Sequence, residues 1–211
     1  MAYINSIQIP PQESAEALAQ AAASALATAL GWTADGTSVW QDEDKSGLRF
    51  VFDHNASYVF PGVGNSLTKQ ANNSLTYNPN TYYFLDYYDT GNTVAIGLRT
   101  ASGIICLSAV IAKNTSGKFK ALSLYSTSVY YLADDLSAAY VCNIGYIAVT
   151  HANAATSIVR YPDFWGECMF EDLYLILSCP YAATDKTFYI GGKYYRYVGV
   201  TGTCGFAIPV N

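Results

Sequence analysis

Residues 42–53, DEDKSGLRFVFD, place Asp42, Asp44 and Ser46 at alternate positions, with Gly47 sixth and Asp53 twelfth. Oxygen ligands at that spacing, with a glycine for the sharp turn, are what the calcium loop of an EF-hand requires. The flanks argue against one. Such a loop joins two helices, whereas Val39 and Trp40 precede this stretch and an alternating apolar run follows it. Arg49 also stands where the loop normally has an apolar residue. A tight acidic turn between two strands accounts for the same residues, and no metal is expected.

Other chemistry fares no better. There is no GxSxG elbow, and neither His54 nor His151 lies in a recognisable triad motif. Asp53 and His54 are adjacent, but successive residues of a strand point to opposite faces. Glu167, Glu171 and Asp172 could supply the facing carboxylates of glycoside hydrolysis. Flanking an aromatic run, they read instead as a solvated edge. NTSGK, 114–118, lacks the upstream glycine of a phosphate-binding loop, and no dinucleotide fingerprint follows a strand. Cys106, Cys142, Cys168, Cys179 and Cys204 are scattered, with no CxxC pair and no histidine near them, which disfavours structural zinc. They read as reduced thiols, with a Cys168–Cys179 pairing left open. The chain is expected to be no enzyme and to carry no cofactor.

The elements behind these residues come in two kinds. PPQESAEALAQAAASALATALGW is the one strong helix signal, since alanine has the highest helix propensity. Two prolines precede it, Glu13 and Glu16 sit at the positive end of the helix dipole, and Gly31 closes it. Leu18, Ala22, Leu26 and Leu30 recur every fourth residue and form one stripe, with Ala15, Ala25 and Ala29 beside it. Such a helix can pack on its own domain or, with almost no charged face, project from the body or lie along its edge, its stripe covered partly by another chain; the second placement is the one expected. From Val39 onward the period is two. LRFVFDH, YYFLDYY, TVAIGLR, GIICLSAVIA, KALSLYS, SVYYL, AYVCNIGYIAV and DLYLIL read as strands separated by turn residues. The polar stretch 64–80 reads as a long exposed loop. The expected fold is mainly β: an antiparallel β-sandwich or barrel-like body over 37–211, preceded by an alanine-rich helical arm over 1–36.

Composition limits the partners. Of 211 residues, 51% are hydrophobic and only 13% charged, far from the make-up of a disordered chain. Nineteen tyrosines outnumber the 11 lysines and arginines together, and tyrosine suits surfaces that alternate between water and a partner. A net charge of −5 disfavours nucleic acid, whose binding rests on neutralised phosphates. The longest apolar run, IICLSAVIA, is about half of what a bilayer span needs. The N-terminal residues lack the charge pattern of a secretory signal.

Near the C-terminus, FYIGGKYYRYVGV reads as a hairpin. Gly191-Gly192 makes a two-residue turn, so Ile190 pairs with Lys193 and Tyr189 with Tyr194. In that register Tyr189, Tyr194, Arg196 and Val198 share one face, and Phe188, Ile190, Tyr195 and Tyr197 the other. A nucleic-acid platform would gather its rings and cations on one exposed face. With the rings divided, one face belongs to the core and the other to a contact.

Three stretches carry a resemblance: AVIAKNTSGKFKALSLYSTSVYYLADD, YPDFWGECMFEDLYLILSCPY and FYIGGKYYRYVGVTGTCGFAIPVN. Together they resemble virion structural proteins of tailed bacteriophages, in which a lysine- and glycine-bearing strand pair precedes a closing glycine-turn hairpin and an apolar tail. The similarity spans roughly 105–211. It implies a component of the tail, baseplate or head surface, located in the virion, whose partners are other virion proteins and copies of itself. It implies no catalytic residue. The expected contacts are Leu18, Ala22, Leu26 and Leu30 on the helix and Tyr189, Tyr194 and Arg196 on the hairpin. The alternative is a glycan-binding module, such as a receptor-binding part, in which Trp40, Tyr161 or Trp165 joins nearby carboxylates in an exposed pocket.

Overall fold

The structure, a computed structural model, describes residues 4–45, 47–64, 69–71, 74–101, 105–113, 117, 119–125, 128–132, 139–141, 147–151, 154–160, 174–177, 187–190, 192–199 and 205–210. The first half contains β1 (Asn5–Ile9), α1 (Ala15–Leu30), β2 (Thr33–Asp35), β3 (Ser38–Trp40), β4 (Arg49–His54), β5 (Tyr58–Gly64), β6 (Lys69–Ala71), β7 (Leu75–Thr76), β8 (Tyr83–Asp89) and β9 (Thr93–Thr100). Then come β10 (Ile105–Lys113), β11 (Phe119–Tyr125), β12 (Ser128–Leu132), β13 (Ala139–Val141), β14 (Ile147–His151) and β15 (Ala154–Arg160). The last four are β16 (Tyr174–Leu177), β17 (Thr187–Ile190), β18 (Lys193–Gly199) and β19 (Gly205–Pro209).

These strands form three antiparallel sheets in a sandwich-like arrangement and not a closed barrel. The first runs β1-β8-β9-β10-β11-β12-β13; the second β2-β3-β4-β5-β6, with β7 also on β5; the third β14-β15-β16-β19-β18-β17. AYVCNIGYIAV, expected as one strand, supplies β13 to the first sheet and β14 to the third.

The helix forms where alanine content and capping favour it. The Ser14 hydroxyl accepts the Ala17 N–H at 3.0 Å, satisfying one free donor of the first turn. At the other end Gly31 takes a left-handed φ of 69°, and the Trp32 N–H reaches back to the Ala27 carbonyl at 2.9 Å. Where the helix lies is a correction to expectation. It does not project: it packs on β2, β3, β4 and β5 of the second sheet and on β1 and β8 of the first. Leu18, Ala22 and Leu26 are each 0% exposed within this chain, and Leu30 is half-buried. The flank of the stripe is also different, because Ala19, Ala23 and Ala27 are buried with Ala15, while Ala25 and Ala29 are only half-buried.

The physical reason is complementarity of size. Alanines bury little surface of their own, but they let large neighbours approach closely. Phe50, Phe52, Val59 and Val63 from the second sheet join Ile9, Tyr83, Leu85, Ile96 and Leu98 from the first in one core cluster with the helix. Trp32, just past the helix cap, stacks on Phe50 at 5.8 Å. The division expected between residues 36 and 37 falls inside the β2–β3 hairpin, where Asp35 faces Ser38.

The stretch 64–80 is not one loop. It contributes β6 and β7, Leu75 is 3% exposed, and the Tyr77 hydroxyl donates to the Gln12 carbonyl at 2.7 Å. β5, which these short strands cover, carries Pro61. Residues 62–64 of β5 pair with β6 and residues 58–59 with β7, so Pro61 falls between the two partners. Its missing N–H therefore breaks no ladder bond on that side.

Candidate functional site

The acidic stretch 42–53 is a turn and a strand: it follows β3 and from Arg49 onward forms β4. The Lys45 N–H closes the turn on the Asp42 carbonyl at 3.0 Å, and Lys45 itself takes a left-handed φ of 58°. Its ammonium reaches Asp35 at 2.9 Å. The Asp42 carboxylate lies over Gly47, where any β-carbon would collide with it. Among the described residues, no group of three or more His, Cys, Asp or Glu side chains could hold a metal ion.

In the second sheet, Trp40 faces Arg49 across the β3–β4 pair, and the guanidinium lies 4.7 Å from the centre of the indole ring. Burial pulls the Arg49 pKa down and the nearby Asp35 carboxylate pulls it back up. Trp40 is 5% exposed, so it offers no open platform for a sugar ring. Tyr161 and Trp165 lie outside the described residues, as do Glu167, Glu171 and Asp172. So do Cys142, Cys168, Cys179 and Cys204, and with them the Cys168–Cys179 pairing.

The first sheet holds a polar cluster that pattern reading missed. Asp86 is 1% exposed, and its Oδ2 accepts from Arg99 Nε at 2.6 Å. The same guanidinium lies 4.4 Å over the Phe84 ring and donates to Ser6 Oγ at 3.2 Å. Strands β1, β8 and β9 are thereby tied through one cation. Asp86 Oδ1 is buried and has no hydrogen-bond partner among the described residues. With the guanidinium bridging Asp86 and Ser6, the cluster holds the three strands in register. One hint was in the sequence: a lone acid inside YYFLDYY and a lone cation ending TVAIGLR.

The hairpin of β17 and β18 has the register read from its glycine turn. Ile190 faces Lys193, Tyr189 faces Tyr194, Phe188 faces Tyr195 and Thr187 faces Arg196. Gly192 has a φ of 86°, which a two-residue turn demands and a side chain resists. The two faces differ sharply. Tyr195 is 2% exposed, whereas Tyr189 and Tyr194 are 62% and 59% exposed. Their rings pack on each other at 5.0 Å with a 58° tilt. Arg196, on the same face, is half-buried. The β18–β19 pairing continues past β19, where Val210 N–H donates to the Tyr194 carbonyl at 3.0 Å, and Ile4 N–H donates to the Pro209 carbonyl at 2.9 Å. Of the expected contact residues, the structure thus leaves the hairpin tyrosines open and encloses the helix stripe. Tyr58 and Tyr82, 40% and 48% exposed, are the further large exposed side chains among the described residues.

Among the described residues no helix is long and apolar enough to cross a membrane. Comparison with family models, with curated proteins and with solved structures finds no match.

Proposed function

We propose that this chain is a structural component of a bacteriophage particle, on the tail, baseplate or head surface, and that it works through protein–protein contacts. One observation carries the reading. A hairpin at the end of the third sheet holds two mutually packed tyrosine rings in water, while its reverse side is sealed by Tyr195. Rings of this kind supply apolar area and a polar tip at low entropic cost, because two strands already fix them. The charge-poor composition points the same way, and the resemblance of 105–211 to virion proteins supplies the setting. The reading needs no cofactor, and the chain's acidity keeps nucleic acid out of it. The helix has no part in these contacts, since its stripe is enclosed by the chain itself.

Mass spectrometry of purified particles tests the proposal. The chain is expected in them in multiple copies. A Tyr189→Glu, Tyr194→Glu double variant is expected to keep its β-sheet circular dichroism and to be left out of particles. Absence of the wild-type chain from particles overturns the reading. If the purified chain then binds saccharide, and the double variant does not, the glycan-binding alternative takes its place.

A further inference from the structure

We propose that β17 is the edge through which two copies of this chain pair, antiparallel, about a two-fold axis passing through Tyr189. The inference rests on the hairpin being a contact surface and names what occupies it. β17 ends the order of the third sheet, and among the described residues only β18 pairs with it. A free edge exposes a row of N–H and C=O groups, and natural edges are commonly guarded by charge, proline or a bulge. Of the other end strands, β2 and β6 fit that habit, with Asp35 and Lys69, whereas β1, β13 and β14 carry no Asp, Glu, Lys, Arg or Pro. β17 reads Thr187-Phe188-Tyr189-Ile190, with no charge and no proline, in unbroken register with β18. Beside this unguarded edge stands the exposed tyrosine pair.

A second copy is the natural occupant because an antiparallel edge complements itself, each strand accepting where its twin donates. Both copies carry net negative charge, yet the strip where they meet is neutral. The faces then restrict the register. Cross-strand partners share a face, so the two exposed faces stay together only if each residue meets one an even number of positions away. An axis through Phe188 sets Thr187 opposite Tyr189. An axis through Tyr189 sets the two Tyr189 side chains opposite each other. Because Tyr189 already faces Tyr194 within each copy, the second register makes a continuous ladder of four rings, and it covers more apolar surface.

Area sets the strength. With the two side chains 62% and 59% exposed, and a tyrosine burying roughly 200 Å² when covered, four rings offer about 500 Å². Stable interfaces begin near about 1,200 Å². The pairing is therefore weak in dilute solution and becomes effective where many copies are held close together, as in a repeated assembly.

Cross-linking reads the register directly. Residues opposite each other in an antiparallel pair have Cα atoms about 4.5–5.5 Å apart, within disulfide reach. Tyr189→Cys is expected to give a covalent dimer under mild oxidation. Tyr194→Cys, equally exposed but one strand back in each copy, is expected to stay at the background set by the wild-type chain with its five cysteines. In sedimentation across a concentration series, Tyr189→Glu is expected to weaken self-association by about tenfold or more, since like charges then face each other. A wild-type chain that stays monomeric and a Tyr189→Cys chain that does not cross-link overturn the pairing. Equal cross-linking at both positions overturns it too. If those results come from a chain that is present in particles, the particle reading stands and the pairing alone falls. Specific cross-linking at position 189 in a chain absent from particles supports the pairing and overturns the particle reading.

Discussion

The helix α1 and the hairpin β17–β18 look alike in one respect: both are short and rich in apolar side chains. Their fates are opposite. The helix presents alanine, which leaves grooves, and two sheets of the same chain fill them with phenylalanine, valine and tyrosine. The hairpin presents tyrosine rings, which are ridges, and on one of its faces Tyr189 and Tyr194 stay 62% and 59% exposed. An apolar surface is thus not by itself a docking surface. What decides is whether complementary shapes are available within the chain, and small side chains are matched at home more readily than large ones.

The sharpest way to break this comparison is to put the same charge in both places. Ala22→Glu buries a carboxylate at a site with 0% exposure, within a cluster that is wholly hydrophobic among the described residues. Such burial costs several kcal/mol, a large part of a domain's total stability. The variant is expected to lose its cooperative melt or to melt far below wild type. Tyr194→Glu is expected to melt within a few degrees of wild type. If Ala22→Glu keeps its melting temperature, the helix is not in the core and the contrast collapses.

The buried ion pair tests whether the first sheet is as tightly specified as the helix that lies on it. Arg99→Ala leaves Asp86, 1% exposed, with neither oxygen compensated, and is expected to cost about 3–5 kcal/mol. Removing both partners, as Asp86→Leu with Arg99→Leu, is expected to cost much less than Arg99→Ala alone. Equal losses in urea unfolding would mean that the arginine acts through its packing on Phe84 and not through charge.

How much of this was legible follows the same physics. The hairpin register could be read because Gly191-Gly192 pins it locally, with no knowledge of the rest of the chain. The helix could be read because alanine and its caps act within a few residues. Its stripe of Leu18, Ala22 and Leu26 could be read too, but the alanines flanking it could not, because with alanine on nearly every face the pattern hardly ranks Ala25 above Ala23. Only the sheet aromatics break that tie, and they lie far away in sequence. The Asp86–Arg99 pair needed the β8–β9 register, in which Phe84 faces Arg99 and Asp86 faces Gly97. In β5, Pro61 and two glycines look like a turn until β6 and β7 are seen to meet on either side of the proline. Short, polar strands such as β1 carry too few apolar positions for a period to show.

A smaller effect comes from Tyr83, which lies between the helix and the polar stretch beyond β7. Its hydroxyl accepts the Asn78 N–H at 2.6 Å, and burial raises its pKa above the usual tyrosine value, the hydrogen bond offsetting this in part. The phenol therefore ionises more easily in the unfolded chain. The stability it supports is fully present below about pH 10 and is lost as pH rises from there through the higher folded value. Tyr83→Phe is expected to flatten that alkaline decline and to cost about 1 kcal/mol at neutral pH, from the stranded Asn78 N–H. An unchanged alkaline profile would show that this phenol is not the group responsible.

The smallest effect bears most directly on the hairpin. If Tyr189 and Tyr194 face water and pack mainly on each other, replacing either by serine removes the same interaction, and replacing both removes little more. A double-mutant cycle on thermal or urea stability is expected to return a coupling of about 0.5–1 kcal/mol, the range for an aromatic pair, with each single loss of similar size. That outcome would place the rings where the geometry has them, 5.0 Å apart and packed on each other. Single losses of about 3 kcal/mol would mean that the hairpin face is covered by this chain, as the helix stripe is. The two regions would then be alike after all, and neither would be free to receive a partner. Coupling near zero, with small single losses, would leave two independent exposed rings and no preformed ladder for a second copy to extend.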